Sequence, residues 1–283
     1  MVNTPSEPTS VSTRDGITLA LRRWPAPRAP RGTVLIVHGL GEHIGRYAHV
    51  AAHLTARGWD VIGYDQRGHG GSGGKRGGLR APDDLLHDLG RVIDHVRLKV
   101  ARTPAAFVVL GHSLGGLIAA QFVGRALRPV DALVLTSPAL EAGLSTGQRL
   151  QLVIGHALVP DLAMSNQLDA TKISHDPAVV RAYQADPLVH DRVTARLARA
   201  LVRGGEEVRD RASQWSVPTL LLWAGDDRLV SPSGSAAFAA AAPPAVVRAH
   251  KFDGLYHEIL NELDASPVFA MLDDWLDQRF PVS

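Results

Sequence analysis

The stretch FVVLGHSLGGLIAAQF, Phe107–Phe122, constrains the fold of this chain more than any other. An apolar run meets Gly111-His112-Ser113-Leu114-Gly115 and then resumes at once in a helix-like pattern. The pattern predicts a buried strand, a sharp turn with Ser113 at its apex, and a helix from about Ser113 to Leu127. Glycines on both sides let strand and helix approach without Cβ clashes, while the serine itself takes a strained backbone position. Such strain persists where something uses the side chain; the plainer reading is a glycine-rich helix start with an N-capping serine. A second G-x-S-x-G window, Gly70–Gly74, runs into Lys75-Arg76-Gly77-Gly78, where no helix can begin, so Ser72 is expected in a flexible loop.

The rest of the chain repeats strand and helix patterns. Alternation around Asp15-Gly16 predicts a hairpin over Ser10–Trp24. Thr33–Gly39 and Trp59–Asp65 read as buried strands, Ala132–Pro138 and Pro218–Gly225 as further strands, Val246–Phe252 as the last strand, and residues 1–9 as a tail. Between them lie helical patterns, the clearest over 81–100, where Pro82, Asp83 and Asp84 mark the first turn. Strands alternating with helices predict a mostly parallel sheet covered on both faces. About eighty residues separate Pro138 from Pro218, far more than one crossover needs. They hold several helical patterns and are expected to form a cap, residues 138–217, inserted into a core of residues 1–137 and 218–283.

A serine hydroxyl is a poor nucleophile unless a base takes its proton and a third group orients that base. In an open parallel sheet the working residues lie beyond the carboxyl ends of the strands. Of thirteen histidines, His257 meets this requirement after the last strand, whereas His250 lies inside that strand. His38, His43, His69 and His112 stand near strand ends but precede the serine in sequence. The acid should come from a strand end between serine and histidine, which leaves Asp226 or Asp227. The backbone N–H groups of Leu114 and of Leu40, in the turn after Thr33–Gly39, are the expected oxyanion donors.

At this point the chain resembles α/β-hydrolases of the monoglyceride lipase type, especially bacterial monoacylglycerol lipases. The resemblance rests on HGLGEHIGRY (His38–Tyr47), YDQRGHGGSGGKR (Tyr64–Arg76), LGHSLGG, AYQADPLVH (Ala182–His190), DDRL and GLYHEILNE. It implies an α/β-hydrolase fold, with a mostly parallel eight-stranded sheet, helices on both faces and an inserted helical cap. It implies Asp227 rather than Asp226 as the acid, and it implies substrate-binding roles beside a glycerol pocket for Glu42, Arg46 and Tyr183. For Glu42 and Arg46 a surface ion pair at the first turn of a helix is the competing reading. Some relatives carry a second histidine three residues after the catalytic one; this chain has Leu260, so that role is not carried over.

The resemblance implies cleavage of a lipid ester, a monoacylglycerol, through an acyl-enzyme, without cofactor or metal. Lysophospholipid hydrolysis, an aminopeptidase and a non-catalytic binder are the alternatives. The cap's apolar band, Leu144, Leu150, Leu152, Val153, Ile154, Leu158 and Val159, suits an acyl chain, although a core-facing helix would look similar. Transient contact of the cap with a membrane surface is expected. An ordinary imidazole titrates near pH 6.5, so acylation should weaken in mild acid.

Composition narrows the field further. The 30 basic and 28 acidic residues show no clustered basic stripe, which argues against nucleic acid. The chain has no cysteine, hence no thiol nucleophile or thiolate metal site. Its first residues lack the pattern of a secretory signal, and a cytoplasmic protein, at most peripheral at a membrane, is expected. Gly68–Gly73 fits a dinucleotide-binding fingerprint, but the helix that must follow waits until Pro82.

Overall fold

The computed structural model describes residues 9–99 and 106–281. Six strands precede the long interval: β1 (Thr9–Ser12), β2 (Thr18–Trp24), β3 (Gly32–Val37), β4 (Trp59–Tyr64), β5 (Ala106–His112) and β6 (Ala132–Thr136). Within it, β7 (Ala163–Ser165) and β8 (Arg192–Thr194) form a separate antiparallel pair. After it come β9 (Thr219–Ala224) and β10 (Val247–Phe252). The main sheet has eight strands in the order β1-β2-β4-β3-β5-β6-β9-β10. The β1–β2 hairpin and its join to β4 are antiparallel; the other pairings are parallel. The tail expected over residues 1–9 lies outside the described residues up to residue 8, and Thr9 already belongs to β1.

Every residue of β3 and β4 is buried, as a strand covered on both faces requires. Alternation then sends Leu35 and Val37 into one core and Val34 and Ile36 into the other. On the first face pack α2 (Asp84–Lys99), through Leu85, Leu89 and Val92, and α3 (Leu114–Gly124), through Leu117. On the second pack α1 (Ala48–Ala56), through Val50 and Leu54, and the C-terminal helix, through Val268, Leu272 and Leu276. The helix after Ser113 ends at Gly124 rather than near Leu127, because Ala126 turns to φ 50° and closes it.

The interval between β6 and β9 holds α4 (Thr146–Leu158), α5 (Pro177–Ala185) and α6 (Ala195–Asp210), and the chain closes with α7 (Pro232–Ala241) and α8 (Ser266–Arg279). α4 carries a capping box at Ser145 and Gln148, yet none of its residues is buried. Its apolar face turns to solvent.

The glycine-rich loop after β4 is tied down rather than free. Ser72 Oγ donates to the Asp65 carbonyl at 2.5 Å and accepts from the Ala20 amide at 2.8 Å. Asp65 accepts from the amides of Ile44 and Gly71, each at 2.8 Å. Arg67 is buried with its guanidinium shared among Asp15, Asp84 and Asp88. A buried charge is tolerated only when paired in this way, so charge pairing and hydrogen bonds hold the loop beside the apolar packing of Leu79.

Candidate active site

The turn between β5 and α3 brings Ser113 to the carboxyl edge of the sheet at φ 52°, ψ −117°, a backbone conformation that L-residues rarely adopt. Its amide donates to the Thr136 carbonyl at 3.1 Å, and its own carbonyl accepts from Leu117 and Ala139. The flanking glycines are required by space. A Cβ on Gly111 would stand 2.6 Å from the Gly115 carbonyl oxygen, and one on Gly115 would stand 2.1 Å from that of Val37. Held on three sides, Ser113 cannot relax out of the bend.

His257 follows β10 in a turn that returns over this bend, and the loop after β9 delivers Asp227. His257 Nε2 lies 2.9 Å from Ser113 Oγ, and Nδ1 lies 2.6 Å from Asp227 Oδ2. Asp227 Oδ1 accepts from the amides of Leu229 and Val230, both at 2.9 Å, so the carboxylate cannot rotate freely. An ionised carboxylate only accepts; Nδ1 therefore carries the proton and Nε2 is free to accept from the serine. Burial of His257 opposes its charged form, but the charge of Asp227 and its hydrogen bond outweigh that penalty, and Glu258 and Glu42 add to them. The imidazole pKa is accordingly raised above the ordinary value near which mild-acid inhibition was expected. Asp227 is itself buried, which favours its neutral form, yet His257 and the two amides hold its pKa below the usual range. Asp226 does not reach the imidazole; it pairs with Arg228 at 2.6 Å near the surface.

The turn after β3 is clamped on both sides of Gly39. Its N–H donates to Glu42 Oε1 at 2.5 Å. Its carbonyl lies 2.8 Å from His38 Nδ1, while His38 Nε2 accepts from the Gln66 amide at 2.9 Å, which leaves Nδ1 as the donor. In a trans peptide the N–H of Leu40 points opposite to the Gly39 carbonyl and so away from His38. The Leu114 amide opens α3, where a helix has no internal acceptor for it. Among the described residues neither amide is hydrogen-bonded. His38 precedes Ser113 in sequence, and on chain order alone it was set aside. Its position directly before the turn glycine was the signal that it shapes this turn.

Glu42 and Arg46 are not a surface pair. Glu42 is buried, accepts from Tyr47 Oη at 2.7 Å, and meets Arg46 at 2.5 Å. Burial raises its pKa, but Arg46, the nearby histidines and Tyr47 bring it down to about 2. Arg46 also makes two hydrogen bonds of 2.7 Å to Glu258 and lies 4.8 Å from the centre of the Tyr183 ring. Glu258 immediately follows His257, and its part in this network carried no signal in spacing or periodicity. His112 is buried beside His257, with ring centres 4.8 Å apart; burial and the His257 charge lower its pKa to about 4.

Two cavities meet at Ser113 and His257. One, of about 350 Å³, carries the polar side chains of Glu42, Tyr183, Asp186, His190 and Glu258 alongside the apolar ones of Leu168, Ile173 and Val189. The other, of about 210 Å³, is walled by Leu114, Ala139, Leu168, Val193, Leu201 and Val230. Arg46 lines neither; it stands behind Glu42 and Glu258. The apolar band over Leu144–Val159 lines neither as well. Leu150, Val153, Ile154 and Leu158 are exposed instead, Leu158 by 75%, and Leu162 and Met164 are exposed as well. Among the described residues no group of His, Asp and Glu is placed to hold a metal ion, and no helix is long and apolar enough to cross a membrane.

A family model described as serine aminopeptidase, S33, matches residues 28–264. The monoacylglycerol lipase of Mycolicibacterium smegmatis is 35% identical over 264 residues, covering 92% of this chain and 93% of the relative. An uncharacterized abhydrolase domain-containing protein of Dictyostelium discoideum is 33% identical over 282 residues, 97% of this chain, which spans 29% of that relative's length. The crystal structure of Paleococcus ferrophilus monoacylglycerol lipase superposes with a TM-score of 0.83 at 29% identity, covering 92% of this chain and 99% of that one.

Proposed function

This chain belongs to the serine aminopeptidase S33 family of hydrolases, and on that premise we propose that it cleaves monoacylglycerols to fatty acid and glycerol. It is a carboxylic ester hydrolase of the α/β-hydrolase fold. One observation carries the substrate reading: Ser113 Oγ, 2.9 Å from His257 Nε2, sits where a cavity bearing several carboxylates meets a more apolar one. A monoacylglycerol has the same two halves, a polyol and an acyl chain joined at the ester.

In the reaction Ser113 Oγ attacks the ester carbonyl while its proton passes to His257 Nε2, and Asp227 steadies the imidazolium. The N–H groups of Leu40 and Leu114 receive the negative charge that develops on the carbonyl oxygen. His257 then gives the proton to the glycerol oxygen as the C–O bond breaks. Water, deprotonated by His257, attacks the acyl-serine, and the fatty acid leaves with Ser113 restored. The acyl chain occupies the more apolar cavity and glycerol the one bearing the carboxylates. Glu42 and Tyr183 face the glycerol hydroxyls, and Arg46 acts through Glu42 and Glu258 by fixing their orientation.

Residues 138–217 act as a cap over this site. The exposed apolar side chains between Leu150 and Met164 suit contact with a lipid surface from which substrate enters. A panel of mono-, di- and triacylglycerols, lysophospholipids and aminoacyl anilides at equal concentration tests the assignment. Monoacylglycerols should give the highest kcat/KM. Preference for an anilide would overturn the lipid reading and favour an aminopeptidase.

A further inference from the structure

The larger cavity at Ser113 presents four carboxylates, those of Glu42, Asp186, Asp191 and Glu258, and no lysine or arginine among the described residues that line it. Their partners only partly compensate. Arg46 serves both Glu42 and Glu258. Arg192 pairs with Asp191 at 3.2 Å. Asp186 pairs with no lysine or arginine; its Oδ2 lies 2.9 Å from His43 Nε2 and its Oδ1 accepts from the Leu188 amide, while His43 Nδ1 already accepts from the Gly45 amide. Three imidazoles line the cavity: those of His112 and His190 have pKa values lowered to about 4, chiefly by burial, and add no charge at neutral pH, while His257 is paired with Asp227, a carboxylate outside this count. Arg76, near His190, does not line the cavity; its guanidinium goes to the carbonyls of Gly68 and Gly70. Four carboxylates against two paired arginines leave the leaving-group side of the site negative.

We propose that this cavity selects the alcohol half of the ester by charge, so that the site also cleaves fatty-acyl esters of ammonium-bearing alcohols and rejects those of anionic alcohols. The inference rests on the ester-hydrolase reading and deepens it. Glycerol, being neutral, is accepted through its hydroxyls. A quaternary or primary ammonium gains from the carboxylates. A phosphate in the same place meets like charge with no guanidinium free to receive it. Glu42, Glu258 and Asp186 are the specificity-determining residues, with Asp186 the least compensated of them.

The test compares kcat/KM for four decanoyl esters at low ionic strength, those of choline, its uncharged isostere 3,3-dimethylbutanol, glycerol and glycerol 3-phosphate. The choline ester should exceed its isostere, and the glycerol ester its phosphate, each by about tenfold or more, with both ratios shrinking as salt is added. Asp186→Asn keeps an oxygen for the Leu188 amide, which Asp186 Oδ1 accepts at 2.8 Å, and should narrow both ratios. Gln184→Lys, on the exposed face of α5 at the cavity rim, should raise the phosphate ester relative to glycerol without touching the core. Equal rates across each pair, or ratios indifferent to salt and to both variants, would overturn charge selection while the hydrolysis of the glycerol ester left the parent reading standing. Failure to cleave any of the four esters would overturn both.

Discussion

Replacing Asp227 by Asn tests the proposed catalytic assembly most directly, because the surrounding structure decides which way the new amide faces. Asp227 Oδ1 accepts two backbone amides, from Leu229 and Val230, at 2.9 Å each. Only the oxygen of an Asn side chain can take that position, since an NH2 group would oppose two N–H donors. The amide nitrogen is therefore forced into the place of Oδ2, 2.6 Å from His257 Nδ1. Nδ1 must then act as acceptor, the proton moves to Nε2, and the imidazole can no longer take the hydrogen of Ser113. A tautomer trapped in this way costs about 10⁴ in kcat in a serine protease, and the same geometry here predicts a similar loss, about 5 kcal/mol in the barrier. The assay is kcat on a soluble 4-nitrophenyl ester, with thermal unfolding to confirm that the fold is kept. Asp226→Asn is the control; its carboxylate serves Arg228 at the surface and its loss should leave kcat within about twofold. A loss below tenfold for Asp227→Asn in a folded protein would mean that something other than this carboxylate orients the imidazole.

Ser113→Gly should abolish ester cleavage and labelling by a serine-directed probe, yet raise Tm by about 2–4 °C, since glycine adopts φ 52° without the strain of about 1 kcal/mol that serine carries; a lower Tm would show that the bend is not strained. The raised pKa of His257 moves the acid limb of kcat/KM above pH 6.5, because the base must be neutral and activity returns only as pH rises through that pKa. By linkage the same group stabilises the fold fully below the ordinary pKa of about 6.5 and loses this contribution as pH rises through the raised value, so stability and activity should trend oppositely there; an acid limb centred below 6.5 would contradict both. Gly115→Ala brings a Cβ to 2.1 Å from the Val37 carbonyl oxygen, and a destabilisation of about 1–3 kcal/mol in denaturant titration is expected. Leu150→Ser with Leu158→Ser should lower activity on vesicle-borne monoacylglycerol while leaving a soluble ester unaffected; equal activity on vesicles would remove the proposed membrane contact.

Much of this protein is written in local pattern. The strand–bend–helix around Ser113, the parallel sheet and the long interval after Ser137 follow from periodicity, glycine placement and spacing, which act over a few residues at a time. The choice between Asp226 and Asp227 was beyond such reasoning, as was the fate of Arg46, which lies in a buried network with Glu258, 212 residues away in sequence. The apolar band of α4 could have faced an acyl chain or the core, and an amphipathic pattern marks a face without naming what covers it. Here the face meets solvent, and residues scattered from Leu114 to Val230 wall the apolar cavity in its place. The glycine-rich loop was likewise open in sequence and is closed by Asp65 and Arg67 through hydrogen bonds that span the fold. Local sequence thus determined the elements and the serine at their junction; the tertiary structure alone decided which charges meet, because Coulombic and hydrogen-bond partners are chosen by distance in space and leave no period in the chain.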